Sequence, residues 1–283
     1  PSSTRKRMKT PICLLVDNGS LRPGAVLSLR KIAKQLGSEC SYDVIPMGLL
    51  HSNKIDKSML NGKSGETIGT FLSSEKAQDQ SNLLILPFFI GPSLGVTDFL
   101  VEKLNIWKNE KSGRSFHVLT CLHSYDDMKL AVALSNETIR VIEDEELDCP
   151  HLALVDHGTP LIKVNQVRED VGKSLEKMMG AKVSDFTTCS MERREGDEYK
   201  FNEPLLESVL DEWGNAGVKE IVVSLLFLLS GRHAGKGGDL ENIFEKAKCK
   251  FPGMKITSTR PLGENSIIYK ILKDKLVKFG CST

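Results

Sequence analysis

The chain has 283 residues and a formal net charge of +1, from 38 Lys and Arg against 37 Asp and Glu. That length suits two domains or one large one, and near-neutral charge argues against a dedicated nucleic-acid binder, which carries a basic excess on one face. No apolar run reaches the roughly 18 residues of a membrane-spanning helix, so no membrane partner is expected.

Residues 1–10 lack acids and are rich in Ser, Thr, Lys and Arg. This is the composition of the tail of a cleaved organelle transit peptide, or of a plain leader or linker. Ile12–Asp17 is a short apolar strand, and Pro23–Leu36 an amphipathic helix. Leu83–Phe89 is a second buried strand. Val96–Trp107 is a helix opened by Thr97 as N-cap, with Asp98 in its first turn. Phe116–Leu122 is a strand and Tyr125–Leu134 a helix. An acidic, turn-rich join follows at Glu143–Pro150.

The same order then recurs. His151–Asp156 is a strand, Ile162–Met179 a helix and Ala181–Thr187 a strand. Glu203–Ala216 is a helix marked by Pro204 near its start, and Glu220–Leu229 a near-continuous apolar strand. Asp239–Lys248 (helix), Lys255–Thr259 (strand) and Ser266–Phe279 (helix) complete the chain. Strands alternating with helices imply parallel sheets covered on both faces.

Two separated segments support an internal repeat. LLVDNGS (Leu14–Ser20) aligns with ALVDHGT (Ala153–Thr159), and PFFIGPSL (Pro87–Leu94) with LFLLSGRH (Leu226–His233). Both alignments have an offset of 139 (157 − 18 and 233 − 94). The expected organisation is therefore a leader at 1–10, one α/β unit at 11–142 and a second at 151–283. The seven cysteines are dispersed and form no C-x-x-C pair, which reads as reduced thiols in a cytosol-like compartment.

In parallel sheets, ligands bind beyond the carboxyl ends of the strands. His157 and His233 both fall there in the second unit, flanked by Gly158 and Gly231. The first unit offers Asn18 and Leu94 instead. The glycine-rich stretch Gly231–Asp239 lacks the G-x-x-x-x-G-K-[ST] pattern, so it is not read as a nucleotide loop. MERREGDE (Met191–Glu198) reads as a solvated loop or a lid.

Taken in order, VDHGT (Val155–Thr159), LLSGRH (Leu228–His233), GGDL (Gly237–Leu240) and RPLG (Arg260–Gly263) resemble the class II chelatases. More narrowly, they are similar to the sirohydrochlorin ferrochelatase and cobaltochelatase family. The resemblance implies two tandem flavodoxin-like units, each a parallel sheet with helices on both faces. It also implies ATP-independent insertion of a divalent metal into a modified tetrapyrrole. Fe²⁺ into sirohydrochlorin, giving siroheme, is the leading expectation, with Co²⁺ or Ni²⁺ on a related ring as the near alternative. A non-catalytic tetrapyrrole or metal carrier on the same fold is the rival from another class.

By that resemblance, His157 and His233 bind the metal and assist removal of the pyrrole protons, and Glu203 is the acidic catalytic residue. Arg232, Gly158, Thr159, Gly231 and Lys236 are expected to hold the substrate, with Arg193 a further candidate cation. Neutral imidazole suits Fe²⁺, Co²⁺ and Ni²⁺, and arginine clamps carboxylates. No permanently bound cofactor is expected, the metal being a substrate. The expected state is a monomer with pseudo-dimeric repeats, or a homodimer. It is expected to be soluble, in a chloroplast if the leader is a plant or algal transit peptide and in the cytoplasm otherwise.

Overall fold

The computed structural model describes residues 10–282, so the leader reading falls, but for Thr10, outside the described residues. Two four-stranded parallel sheets run through it. β1 (Ile12–Asp17), β2 (Asp43–Gly48), β3 (Asn82–Pro87) and β4 (Ser115–Val118) form the first, in the order β2-β1-β3-β4. β5 (His151–Asp156), β6 (Asp185–Ser190), β7 (Glu220–Leu225) and β8 (Lys255–Ser258) form the second, in the matching order β6-β5-β7-β8. The helices are α1 (Pro23–Glu39), α2 (Ile68–Leu72), α3 (Glu75–Gln78), α4 (Val101–Asn109), α5 (Lys129–Asp144), α6 (Ile162–Met179), α7 (Leu206–Asn215), α8 (Asp239–Lys250) and α9 (Ser266–Ser282). None is long and apolar enough to cross a membrane.

The central strands β1 and β5 are buried on both faces, as parallel strands under helices require. Their alternation sorts side chains between separate cores. Cys13 and Leu15 of β1, with Leu152 and Leu154 of β5, enter one shared core between the units. That core is filled by α1 (Leu29, Leu36), α5 (Leu130, Leu134), α6 (Val171, Leu175) and α9 (Leu272, Leu276). Leu14 and Val16 face an outer core with Leu100 and Trp107. Ala153 and Val155 face another with Leu210 and Trp213. A common core fixes the two carboxyl-end edges relative to each other.

Several elements differ from expectation, each for a local reason. β2 carries Pro46, which lowers its strand signal; it is an edge strand, where a proline leaves no central ladder bond unmade. β3 and β7 stop at Pro87 and Leu225, although the apolar runs continue beyond them. β6 starts at Asp185, later than the periodicity suggests. Thr97 is not an N-cap: Gly95–Leu100 winds as a π-helix into α4, and the Thr97 hydroxyl donates back to the Ser93 carbonyl at 3.2 Å. The common offset of 139 holds for β1 and β5 but not for β3 and β7. Cys13 pairs with Leu84 and Leu152 with Val222, an offset of 138 for that strand, so His233 counts opposite Gly95 rather than Leu94.

Candidate active site

β5 ends at Asp156, and the chain turns at once through His157, Gly158 and Thr159. Gly158 has φ +98°, and a Cβ there would lie 1.9 Å from the Glu192 carbonyl oxygen, so a side chain is excluded. The turn rests on a buried polar network. The Asp156 carboxylate accepts from the Gly158 N–H at 3.1 Å and from the Ser190 hydroxyl at 2.5 Å. Arg168 Nη1, from α6, lies 3.7 Å from it and donates to Ser190 Oγ and to the Asn202 carbonyl. Asn202 in turn closes two 2.9 Å bonds with the Thr159 backbone. Burial pushes the Asp156 carboxyl above the ordinary range, against the opposing pull of Arg168, Ser190 and the Gly158 N–H.

The second imidazole arrives on the loop before α8. His233 Nδ1 sits 2.7 Å from Asp239 Oδ2, at the first residue of that helix. The carboxylate can only accept, so Nδ1 carries the proton and Nε2 presents its lone pair. His157 is arranged likewise: its Nδ1 is 3.2 Å from the Gly158 carbonyl oxygen. Its Nε2 is 3.0 Å from Glu192 Oε1 but out of hydrogen-bond geometry, and that nitrogen is a buried atom without a hydrogen-bond partner. The two rings meet with centroids 4.2 Å apart, tilted by 50°.

They open onto a cleft of about 740 Å³ between the two units. Its apolar lining comes from the segments that follow β3 and β7: Phe88, Phe89 and Ile90 from the first unit, and Leu226–Leu229 from the second. Here lies the reason the apolar runs outlast their strands. The RPLG segment supports this lining, since Leu262 and Gly263 N–H donate to the Phe227 and Leu228 carbonyls at 2.7 Å. Arg260 anchors the segment by a two-bond pairing with Glu137 of α5, a buried carboxylate from the first unit.

Of the residues singled out in the sequence, His157, His233, Gly158, Thr159, Gly231 and Arg232 line this cleft. Arg232 is 82% exposed, with its Nε 4.0 Å from Asp239, which leaves most of its donors available to a ligand. Glu203 and Lys236 do not line it. Glu203 is exposed and pairs with Arg193 at 3.0 Å, ahead of α7; Lys236 is exposed in the loop. Arg193 Nη1 donates to the Arg194 and Gly196 carbonyls. The carboxylates that reach the imidazoles are Glu192 and Asp239. Glu192 directly follows the first residue after β6, so a correct end for that strand would have placed it beside His157. Among the described residues, no set of three or more His, Cys, Asp or Glu is disposed to hold a metal.

Residues 151–278 match the model of the CbiX family. The matched stretch is the second unit. A curated relative, chloroplastic sirohydrochlorin ferrochelatase of Arabidopsis thaliana, is 24% identical over 129 residues. The aligned part is 46% of this chain and 52% of the relative, so the chain spans about half the length of that protein. Among solved structures, SirB from Bacillus subtilis with Fe³⁺ superposes with a TM-score of 0.68 at 12% identity, covering 95% of both chains. SirB from Bacillus subtilis subspecies spizizenii in complex with cobalt gives 0.67 at 12% identity, covering 95% of this chain and 94% of that one. These likenesses establish the fold of two tandem chelatase units along nearly the whole chain.

Proposed function

We propose that the cleft binds a tetrapyrrole and that the His157–His233 pair delivers a divalent metal into it without ATP. Fe²⁺ into sirohydrochlorin, yielding siroheme, is the reaction we assign. The reading rests on one observation above the others: two touching imidazoles at the cleft, each with a carboxylate beside it, Asp239 at His233 Nδ1 and Glu192 at His157 Nε2. A transfer site must release its cargo, and two nitrogen donors leave coordination positions for incoming pyrrole nitrogens. Imidazole is a suitable donor for Fe²⁺, Co²⁺ and Ni²⁺ alike. The choice of iron follows the name of the Arabidopsis relative, while the iron and cobalt complexes of SirB keep cobalt as the near alternative.

The remaining parts have clear tasks in such a reaction. Apolar side chains from both units offer a floor for a flat ring, and exposed Arg232 offers paired donors to a ring carboxylate. Asp239 orients His233, and Glu192 stands beside His157. A plastid location, the compartment named for the Arabidopsis relative, is part of this reading. The test is anaerobic mixing of the protein with sirohydrochlorin and Fe²⁺ or Co²⁺, followed by visible absorption. Turnover above the metal-only background is expected; stoichiometric binding without turnover would make the protein a carrier.

A further inference from the structure

Metal insertion breaks two pyrrole N–H bonds, and each electron pair stays on its nitrogen to bond the metal. Two protons must therefore find bases. While His157 and His233 hold the metal through Nε2, those nitrogens cannot also receive protons. The acceptors have to be other groups, and one carboxylate, Glu192, stands beside His157.

The first unit supplies another. Asp17 ends β1 as Asp156 ends β5, and it lines the cleft from the first unit's wall. Asp156 is held by Ser190 and Arg168. The sheet registers place Gly48 beside Asp17 where Ser190 stands beside Asp156. Leu29 follows Asp17 at the same distance in sequence as Arg168 follows Asp156, and both side chains are buried. Asp17 has thus kept its carboxylate and lost both partners; the carboxylate accepts from the Gly19 N–H at 2.8 Å.

The charged neighbours do not replace them. Arg30, Lys63 and Glu66 border a small second cavity that Asp17 also lines. Arg30 directs its guanidinium at the Leu60, Lys63 and Ser64 carbonyls. Arg22 and His51 stand on the cleft rim, with Asp156, His157, Arg232 and His233 contributed by the second unit. Among the described residues, no cation forms an ion pair with Asp17. Burial raises its carboxyl to about 6, which lets it take and return a proton near neutrality.

We propose that Asp17 is a catalytic base of the insertion step, taking a pyrrole proton on the ring face turned to the first unit. An N–H bond breaks, the proton passes to the Asp17 carboxylate, and the freed electron pair bonds the metal as a metal–imidazole bond opens. The second cavity gives the carboxyl a polar exit, lined by Ser52, Ser64 and Glu66, for returning the proton to solvent. This inference rests on the chelatase reading above.

The test compares wild type with Asp17→Asn, which keeps an oxygen for the Gly19 N–H, and with Asp17→Glu. Three readouts are needed: metal insertion from pH 5 to 9, sirohydrochlorin affinity by absorption titration without metal, and melting temperature. Asp17→Asn is expected to lower kcat about 100-fold with ring affinity and melting temperature undiminished. Asp17→Glu is expected to recover part of the rate with a shifted acid limb. An Asp17→Asn variant with wild-type kcat and pH profile would overturn the role. So would parallel loss of ring affinity and melting temperature, which marks a structural carboxylate. A wild-type protein that neither binds nor metallates sirohydrochlorin would instead remove the chelatase reading itself.

Discussion

Arg168→Met is the sharpest probe of how the His157 turn is held. The guanidinium is 2% exposed and donates to Ser190 Oγ at 2.5 Å and to the Asn202 carbonyl at 2.9 Å, with Asp156 at 3.7 Å. Methionine fills similar space but returns none of those donors. Asp156 then stays buried without a counter-charge, a loss of about 3–5 kcal/mol. At about 2–4 °C per kcal/mol, the melting temperature should fall by roughly 6–20 °C. The loss should depend on pH in a defined sense. A carboxyl whose folded pKa is raised contributes stability only below its unfolded value and loses it as pH rises. Asp156 is already raised, and without Arg168 it rises further, so the deficit should be larger at pH 8 than at pH 4.5. Adding Asp156→Asn to Arg168→Met should recover part of the loss at pH 8. Scanning calorimetry of wild type, Arg168→Met and the double variant at both pH values measures this. An Arg168→Met variant as stable as wild type at pH 8, or a deficit independent of pH, would refute the proposed linkage.

Three further outcomes follow from the same geometry. Asp239→Ala should weaken Co²⁺ binding about 10–100-fold, read by visible absorption of the metal, because His233 loses the acceptor that fixes its ring. Glu203→Gln should change metal insertion by less than about twofold, since Glu203 faces Arg193 outside the cleft; a loss of the size expected for general acid–base catalysis would restore it as a catalytic residue. Asp17→Asn should melt higher than wild type at pH 8, and the gain should vanish near pH 4. The Asp17 carboxyl is raised to about 6, so the wild-type protein loses stability as pH climbs through that range.

The parts legible in the sequence were those where one physical signal acted alone. HLALVD is apolar because β5 is buried on both faces, and its bounds match. The periodicity of Ile162–Met179 gives α6 its observed ends, with Gly180 following the helix. His157 directly follows β5 and His233 lies on the loop between β7 and α8, both on the carboxyl-end side where parallel sheets place their ligand loops. Legibility failed where two demands coincided. Leu226–Leu229 is apolar to line a cleft, which strand periodicity cannot tell from burial in a sheet. Pro46 hid an edge strand, and that omission left the pairing of β2 with β1 out of view. Glu192 was lost in a charge run, because four of the eight residues in MERREGDE are acidic and composition alone cannot choose among them. The buried network of Arg168, Asp156 and Asn202 joins residues distant in sequence and needed coordinates.

The account's central claim is that the second unit's two imidazoles carry the metal. Single-turnover metallation of sirohydrochlorin by wild type, His157→Ala, His233→Ala and Asn18→Ala tests it most directly, with circular dichroism to establish that each protein is folded. Both histidine variants should lose at least about 100-fold in rate, while Asn18→Ala stays near wild type. A folded His157→Ala or His233→Ala protein that metallates the ring at the wild-type rate would contradict the claim, as would an Asn18→Ala loss equal to theirs.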